Sequence, residues 1–168
     1  DGLVYQWTQV SGPGTVTFGT ATSEDTTISV SQDGTYVLQL TVTDAAGNSA
    51  ADTFSLVWDT VAPTVSAGSN VSKNATFTTS STVTDPSPTA GIASYSWTMV
   101  SGPGSVTFGT PNATTTTVSA DADGTYTIGL TVVDNAGNSG FADSTFVWDT
   151  ANPTGSWTQP SANSTVSG

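Results

Sequence analysis

Hydrophobic and polar residues alternate along most of the chain. In Tyr36-Val37-Leu38-Gln39-Leu40-Thr41-Val42-Thr43, the residues Tyr36, Leu38, Leu40 and Val42 fall on one face and mostly polar residues on the other. A period of two is that of a half-buried antiparallel strand. Ser11-Gly12-Pro13-Gly14, Asp33-Gly34 and Ala46-Gly47-Asn48 interrupt the alternation, and turn clusters about ten residues apart predict a sandwich or barrel. In the middle of the chain the pattern predicts seven short strands, at residues 63–67, 75–83, 93–100, 106–108, 114–119, 125–133 and 141–148. The fold class is therefore all-β.

The pattern is also copied. Tyr5-Gln6-Trp7-Thr8 returns as Tyr95-Ser96-Trp97-Thr98, Asp33-Gly34-Thr35-Tyr36 as Asp123-Gly124-Thr125-Tyr126, and Val57-Trp58-Asp59-Thr60 as Val147-Trp148-Asp149-Thr150, always at an offset of 90 (95 − 5). Between residues 1–62 and 91–152, 32 of 62 positions are identical. A fixed period of this length marks a tandem array. The expected units are residues 63–152, complete, and residues 1–62, which carry no counterpart of the first two strands. Residues 153–168 line up with 63–78 and read as the first strand of a further unit, or as a strand donated to a neighbour. The sequence fits both a window on a longer array and a subunit that polymerises head-to-tail by strand addition.

Seven strands in about 90 residues match the immunoglobulin-like sandwich. Trp97, and by repetition Trp7, falls in the third strand, where that fold keeps a core tryptophan. Tyr126 and Tyr36 follow Asp-Gly, where it keeps a tyrosine corner, and Ile128 takes the place of a disulfide cysteine. These four aromatics are the predicted core. The pattern Tyr-x-Trp-x-x-x-Ser-Gly-Pro-Gly, then Asp-Gly-Thr-Tyr, then Trp-Asp-Thr-x-x-Pro, resembles the Ig-like repeats of bacterial and archaeal surface proteins. It is most similar to the PKD-like and cadherin-like tandem modules of adhesins, stalks and cell-surface filaments. The resemblance covers the whole chain and implies an extracellular, structural role.

Charge narrows the partners. One basic residue, Lys73, stands against 13 acidic ones, a net charge of −12. Nucleic acid and anionic membrane surfaces need clustered Lys and Arg and are not expected partners, and no apolar run is long enough for membrane insertion. Catalysis has little to use. With no histidine, no cysteine and one lysine, the Ser and Thr hydroxyls have no base to activate them, and the chain reads as a non-enzyme.

Carboxylates are the remaining chemistry. In such a sandwich the second-to-third and sixth-to-seventh strand loops lie at the end where the chain enters, and the last strand leaves at the other. One junction should then gather Asp59 with Asp85, Asp134 and Asn138, while Asp44, Asn48 and Asp149 serve adjoining junctions. Hard oxygens from separate loops suit Ca2+, the one expected cofactor. The plainer reading is that Asp44 and Asp134 end strands and Gly47-Asn48 makes a turn.

Four sequons make Asn70, Asn74, Asn112 and Asn163 glycosylation candidates. Trp58 and Trp148 sit at strand exits, with the junction as an expected packing site. Trp157 has no tryptophan counterpart and is the candidate anchor in a neighbouring subunit. The expected function is a cell-surface stalk, adhesin segment or filament subunit whose partners are neighbouring Ig-like units or identical subunits. The competing reading is a carbohydrate- or protein-binding module of a secreted protein. Interchangeable units, dense in shared core and turn residues, favour the first.

Overall fold

Alternation becomes strand wherever a turn can follow it. The structure, a computed structural model, describes residues 2–86, 88 and 90–156. The first unit contains β1 (Val4–Ser11), β2 (Val16–Phe18), β3 (Ile28–Val30), β4 (Gly34–Thr43) and β5 (Ser49–Trp58). Their counterparts ninety residues on are β10 (Ile92–Ser101), β11 (Val106–Phe108), β12 (Thr117–Ala120), β13 (Gly124–Asp134) and β14 (Ser139–Trp148). Between the two sets lie β6 (Thr64–Ser66), β7 (Val71–Lys73), β8 (Phe77–Thr78) and β9 (Thr82–Thr84). No described residue is helical.

In the second unit the sheet β10-β13-β14-β7 faces β11-β12-β8, and a β6-β9 ladder lies beside them. The first unit repeats the core of this plan as β1-β4-β5 and β2-β3. Tyr126, Ile128, Leu130 and Val132, the apolar face of β13, are at most 1% exposed. Trp97, Val118, Phe146 and Trp148 pack with them. Phe146 stacks on Tyr126 at 5.1 Å and meets Trp148 edge-on at 6.4 Å. Removing each such side chain from water contributes about 1.5–3 kcal/mol. Trp148 therefore belongs to the core of its own unit and not to the junction, because residues 140, 142, 144, 146 and 148 share the inward face of β14.

The tyrosine corner locks the repeated motifs together. The Tyr126 hydroxyl donates to the Ala122 carbonyl at 2.7 Å, and that of Tyr36 to Gln32 at 2.5 Å. Both rings lie against the backbone of the Ser-Gly-Pro-Gly turn. A Cβ on Gly102 would stand 2.1 Å from Tyr126 Cδ1, and one on Gly12 equally close to Tyr36. Only glycine fits beneath the ring, which explains why this turn travels with Asp-Gly-Thr-Tyr. Trp97 and Trp7 pin the next loop, donating from Nε1 to the carbonyls of Ala113 and Ser23.

The strands differ from expectation at two places. Residues 75–83 do not form one strand: β8 pairs with β12, and β9 pairs with β6 in a separate ladder. Buried hydroxyls cause the break. Thr79 Oγ1 accepts from Thr116 N, and Ser81 Oγ donates to the Thr114 carbonyl at 2.6 Å. The Thr79 amide still donates to the Thr116 carbonyl at 2.9 Å, so the side-chain bonds join the backbone bond at Thr79 and carry the contact on from Ser81. The second is an addition: β7 lies between the expected strands 63–67 and 75–83 and runs parallel to β14, Val71 opposite Phe146. Three residues are too few for an alternation to register.

The two units are not equally closed. Trp7 is half-buried where Trp97 is 3% exposed, and Leu56 and Trp58 are half-buried where Phe146 and Trp148 are buried. Truncating the aromatic in the closed unit, Phe146→Ala, is expected to cost about 3–5 kcal/mol, and Leu56→Ala at the equivalent place clearly less than the ~2–5 of a buried leucine. Urea denaturation of the two variants checks this ordering.

Candidate metal centre

The last residue of β5 is Trp58, and the next, Asp59, turns the chain into the second unit. Asp59 is only 7% exposed because that unit encloses it. Its Oδ1 accepts from the amide of Val61 at 2.9 Å, which shapes the linker as an Asx turn. Its Oδ2 accepts from the amide of Ala90 at 3.1 Å, and its carbonyl accepts from Asn138 Nδ2 at 3.0 Å. One residue therefore bonds to both loops at the entrance of the second unit. Thr60 fixes the other side, its amide and hydroxyl both donating to Asp33 Oδ2.

Asp134 ends β13 and is 1% exposed. Burial pushes its carboxyl up, but the Asn138 side chain and the amides of Asn138, Ala136 and Gly137 outweigh burial and hold it below the ordinary 3.8. Asp134 Oδ1 accepts from the Ala136 and Asn138 amides at 2.9 and 2.8 Å, and Oδ2 from Asn138 Nδ2 at 2.9 Å. Asp85 enters from the β9–β10 loop, half-buried, with Oδ2 accepting from the Gly91 amide at 2.8 Å. Asp59, Asp85 and Asp134 each offer an oxygen within 4.8 Å of the other two. Two of these three carboxylates are buried.

The donor set fits a hard cation. It consists of carboxylate oxygens from three separate segments, with neither nitrogen nor sulfur, and each oxygen keeps lone-pair capacity beyond the amide bonds it accepts. Asn138 is the bridge: its amide nitrogen reaches both Asp134 and the carbonyl of Asp59.

Asp44 and Asn48 copy the Asp134–Asn138 motif at the outer end of the first unit. Asp44 accepts from Asn48 Nδ2, Asn48 N and Ala46 N, each at 2.9 Å. Asp149 copies Asp59 at the exit of the second unit, with Ala151 N donating to its Oδ1 at 3.0 Å. Among the described residues, the only cluster of three metal-ligating side chains is Asp59, Asp85 and Asp134.

Other candidates fall elsewhere. Asn70 uses its side-chain oxygen to accept from Thr145 N at 3.0 Å, whereas Asn74 and Asn112 are exposed in turns. Asn163 and Trp157 lie outside the described residues. The structure adds Asn135, whose amide donates to the Gly91 carbonyl at 2.8 Å and whose side chain donates to the Ala90 carbonyl at 2.9 Å. The signal was present in the repeat. Asn135 replaces Ala45 in an otherwise copied Asp-x-Ala-Gly-Asn loop.

A family model described as K319L-like, PKD domain matches residues 2–57 and 67–147. No curated protein matches the chain. Among solved structures, the PKD domain from the KIAA 1837 protein is 20% identical, covers 60% of this chain and 99% of its own, and superposes with a TM-score of 0.42. Domains EC1–4 of Drosophila N-cadherin are 17% identical, at 86% and 41% coverage and a TM-score of 0.41. The S-layer protein SbsC is 16% identical, at 90% and 21% coverage and a TM-score of 0.41.

The loop motif makes a prediction of its own. The Asn48 side chain leads the bonds that hold the Asp44 carboxyl below its usual range. Its stabilisation is therefore present above the unfolded carboxylate value and is lost as pH falls through the lower folded one. Followed by NMR in EDTA, Asp44 should titrate below 3.8, and Asn48→Ala should raise its midpoint.

Proposed function

We propose that this chain, which belongs to the K319L-like PKD domain family, is a non-catalytic structural segment of an extracellular protein, a stalk, adhesin or filament. In this reading its Ig-like units are spacers, residues 1–62 and 63–152, joined head-to-tail. Calcium stiffens the step between them. The observation that carries it is the meeting of Asp59, from the first unit, with Asp85 and Asp134, from the second, within 4.8 Å.

Without a cation, three carboxylates at that distance repel one another, and the amides around them relieve the repulsion only in part. A bound Ca2+ would supply the missing positive charge and tie the exit of one unit to two loops of the next. It needs 6–8 oxygens, so carbonyls or water complete the set. Asn138 orients the set by holding Asp134 and the Asp59 carbonyl together.

Rigidity is also covalent in origin. Asp-Thr-x-x-Pro linkers place Pro63 and Pro153 at the start of the next segment, where a fixed φ restricts the swing between units. Asp149 at one end, and Asp44 with Asn48 at the other, are shaped for equivalent junctions with adjoining units or identical subunits. A net charge of −12 agrees with a soluble exterior that gathers cations and avoids nucleic acid and anionic membranes.

Calorimetry decides the metal. At Ca2+ a hundred times its dissociation constant, the added stability is about 2.7 kcal/mol, a rise in Tm of about 5–10 °C. EDTA should reverse it, and Asp85→Asn, which keeps the side-chain shape, should remove most of it. Superimposable melts of the unaltered chain in Ca2+ and in EDTA would sink the calcium junction.

A further inference from the structure

The two sheets of the second unit end in short strands. β7, three residues long, closes one edge beside β14, and β8, two residues long, closes the facing edge beside β12. Strands this short leave a gap between the sheets. It is a cavity of about 150 Å3, open at one side, that reaches the buried side chains of Ala67, Ile128 and Phe146. Val71 from one edge and Phe77 from the other form its walls, and the Phe77 ring meets Phe146 edge-on at 5.3 Å. An apolar cavity of about this volume stays dry and accepts a benzene-sized guest.

The mouth has a different character. Ser69 and Ser80 stand there, both exposed, and so does Lys73, the one basic residue of the chain. The Lys73 ammonium lies 5.9 Å from the centroid of the Phe77 ring, within reach of a cation–π attraction that holds it at the mouth. Among the described residues no carboxylate forms an ion pair with it. Asp149 comes near through its backbone, its amide donating to the Lys73 carbonyl at 3.0 Å, but its carboxylate accepts from the amide of Ala151.

Apolar walls and one cation define the ligand. A neutral apolar guest would use the walls and leave the ammonium to water. A polyanion would extend towards the 13 acidic residues of the chain. A monocarboxylate with a flat apolar body uses both features. Acidic groups farther off are screened beyond about 8–10 Å at physiological salt, so Lys73 sets the field at the mouth.

We propose that this cavity binds a small monocarboxylate whose flat apolar body is of about benzene size. The body lies between Val71 and Phe77 against Ile128 and Phe146, and the carboxylate faces the Lys73 ammonium with the Ser69 and Ser80 hydroxyls beside it. The site is separate from the spacer role, since none of Asp59, Asp85 and Asp134 lines the cavity.

The chain is titrated at neutral pH with benzoate, and the methyl signals of Val71 and Ile128 are followed by NMR. Saturable shifts at both are expected. Benzyl alcohol has nearly the same shape without the charge and should bind about fivefold more weakly, the upper end for one exposed charge pair. Lys73→Gln keeps most of the stem and alters an exposed residue, so the fold stands. In that variant benzoate should weaken to the level of benzyl alcohol, and benzyl alcohol should bind as before. No saturable shift at Val71 and Ile128 with benzoate, equal binding of the two probes by the unaltered chain, or a preference for benzoate that survives Lys73→Gln would each overturn the assignment. EDTA is present throughout, so the outcome does not depend on the calcium junction.

Discussion

Asp59 is the point through which both units must pass, and its bonds constrain everything around it. A linker residue in solvent would leave the units to swing. Here the carboxylate and carbonyl of one residue take amides from the linker itself, from Ala90 and from Asn138. The linker, the β9–β10 loop and the β13–β14 loop are therefore positioned by one side chain and one peptide unit. Asn135 closes the set by tying the two loops to each other. Because these bonds bury Asp59 beside Asp134, the junction gathers negative charge in a place of low exposure. The same arrangement that orders the linker brings the three carboxylates together.

Within each unit the corresponding constraint is the tyrosine corner. The ring of Tyr126 must have glycine beneath it at Gly102, and its hydroxyl needs the Ala122 carbonyl. Two turns far apart in sequence are thereby fixed on one aromatic ring, and with them the entry of β13. This explains why identity between the repeats concentrates in turns as much as in the core. In a fold without disulfides, a ring clamped between two turns stands in for a covalent staple.

What the sequence made legible follows from how many residues encode each feature. β4 and β13 carry four alternating apolar residues each and were readable, as was the tandem copy of Trp-Asp-Thr. Convergence of Asp59, Asp85 and Asp134 could be anticipated from topology alone, since strand exits and loops of a sandwich occupy known ends. β7 could not, because three residues pairing in parallel with β14 leave no periodic trace. The break at Thr79–Ser81 was hidden for a different reason. In a chain so rich in threonine, nothing in the sequence separates a hydroxyl facing water from one that bonds the neighbouring segment. Asn135 leaves no trace in what the repeats share, because its role lies where they differ.

A binding module would concentrate divergence in exposed loops. In this chain the β4–β5 and β13–β14 loops keep Asp-x-Ala-Gly-Asn in both units, and the Ser-Gly-Pro-Gly turns are the same. Divergence runs unbroken through residues 50–56 against 140–146, on both faces of the strand, and through the loop residues 21–25 against 111–115. Units alike in core and junction are what the proposed spacer role requires.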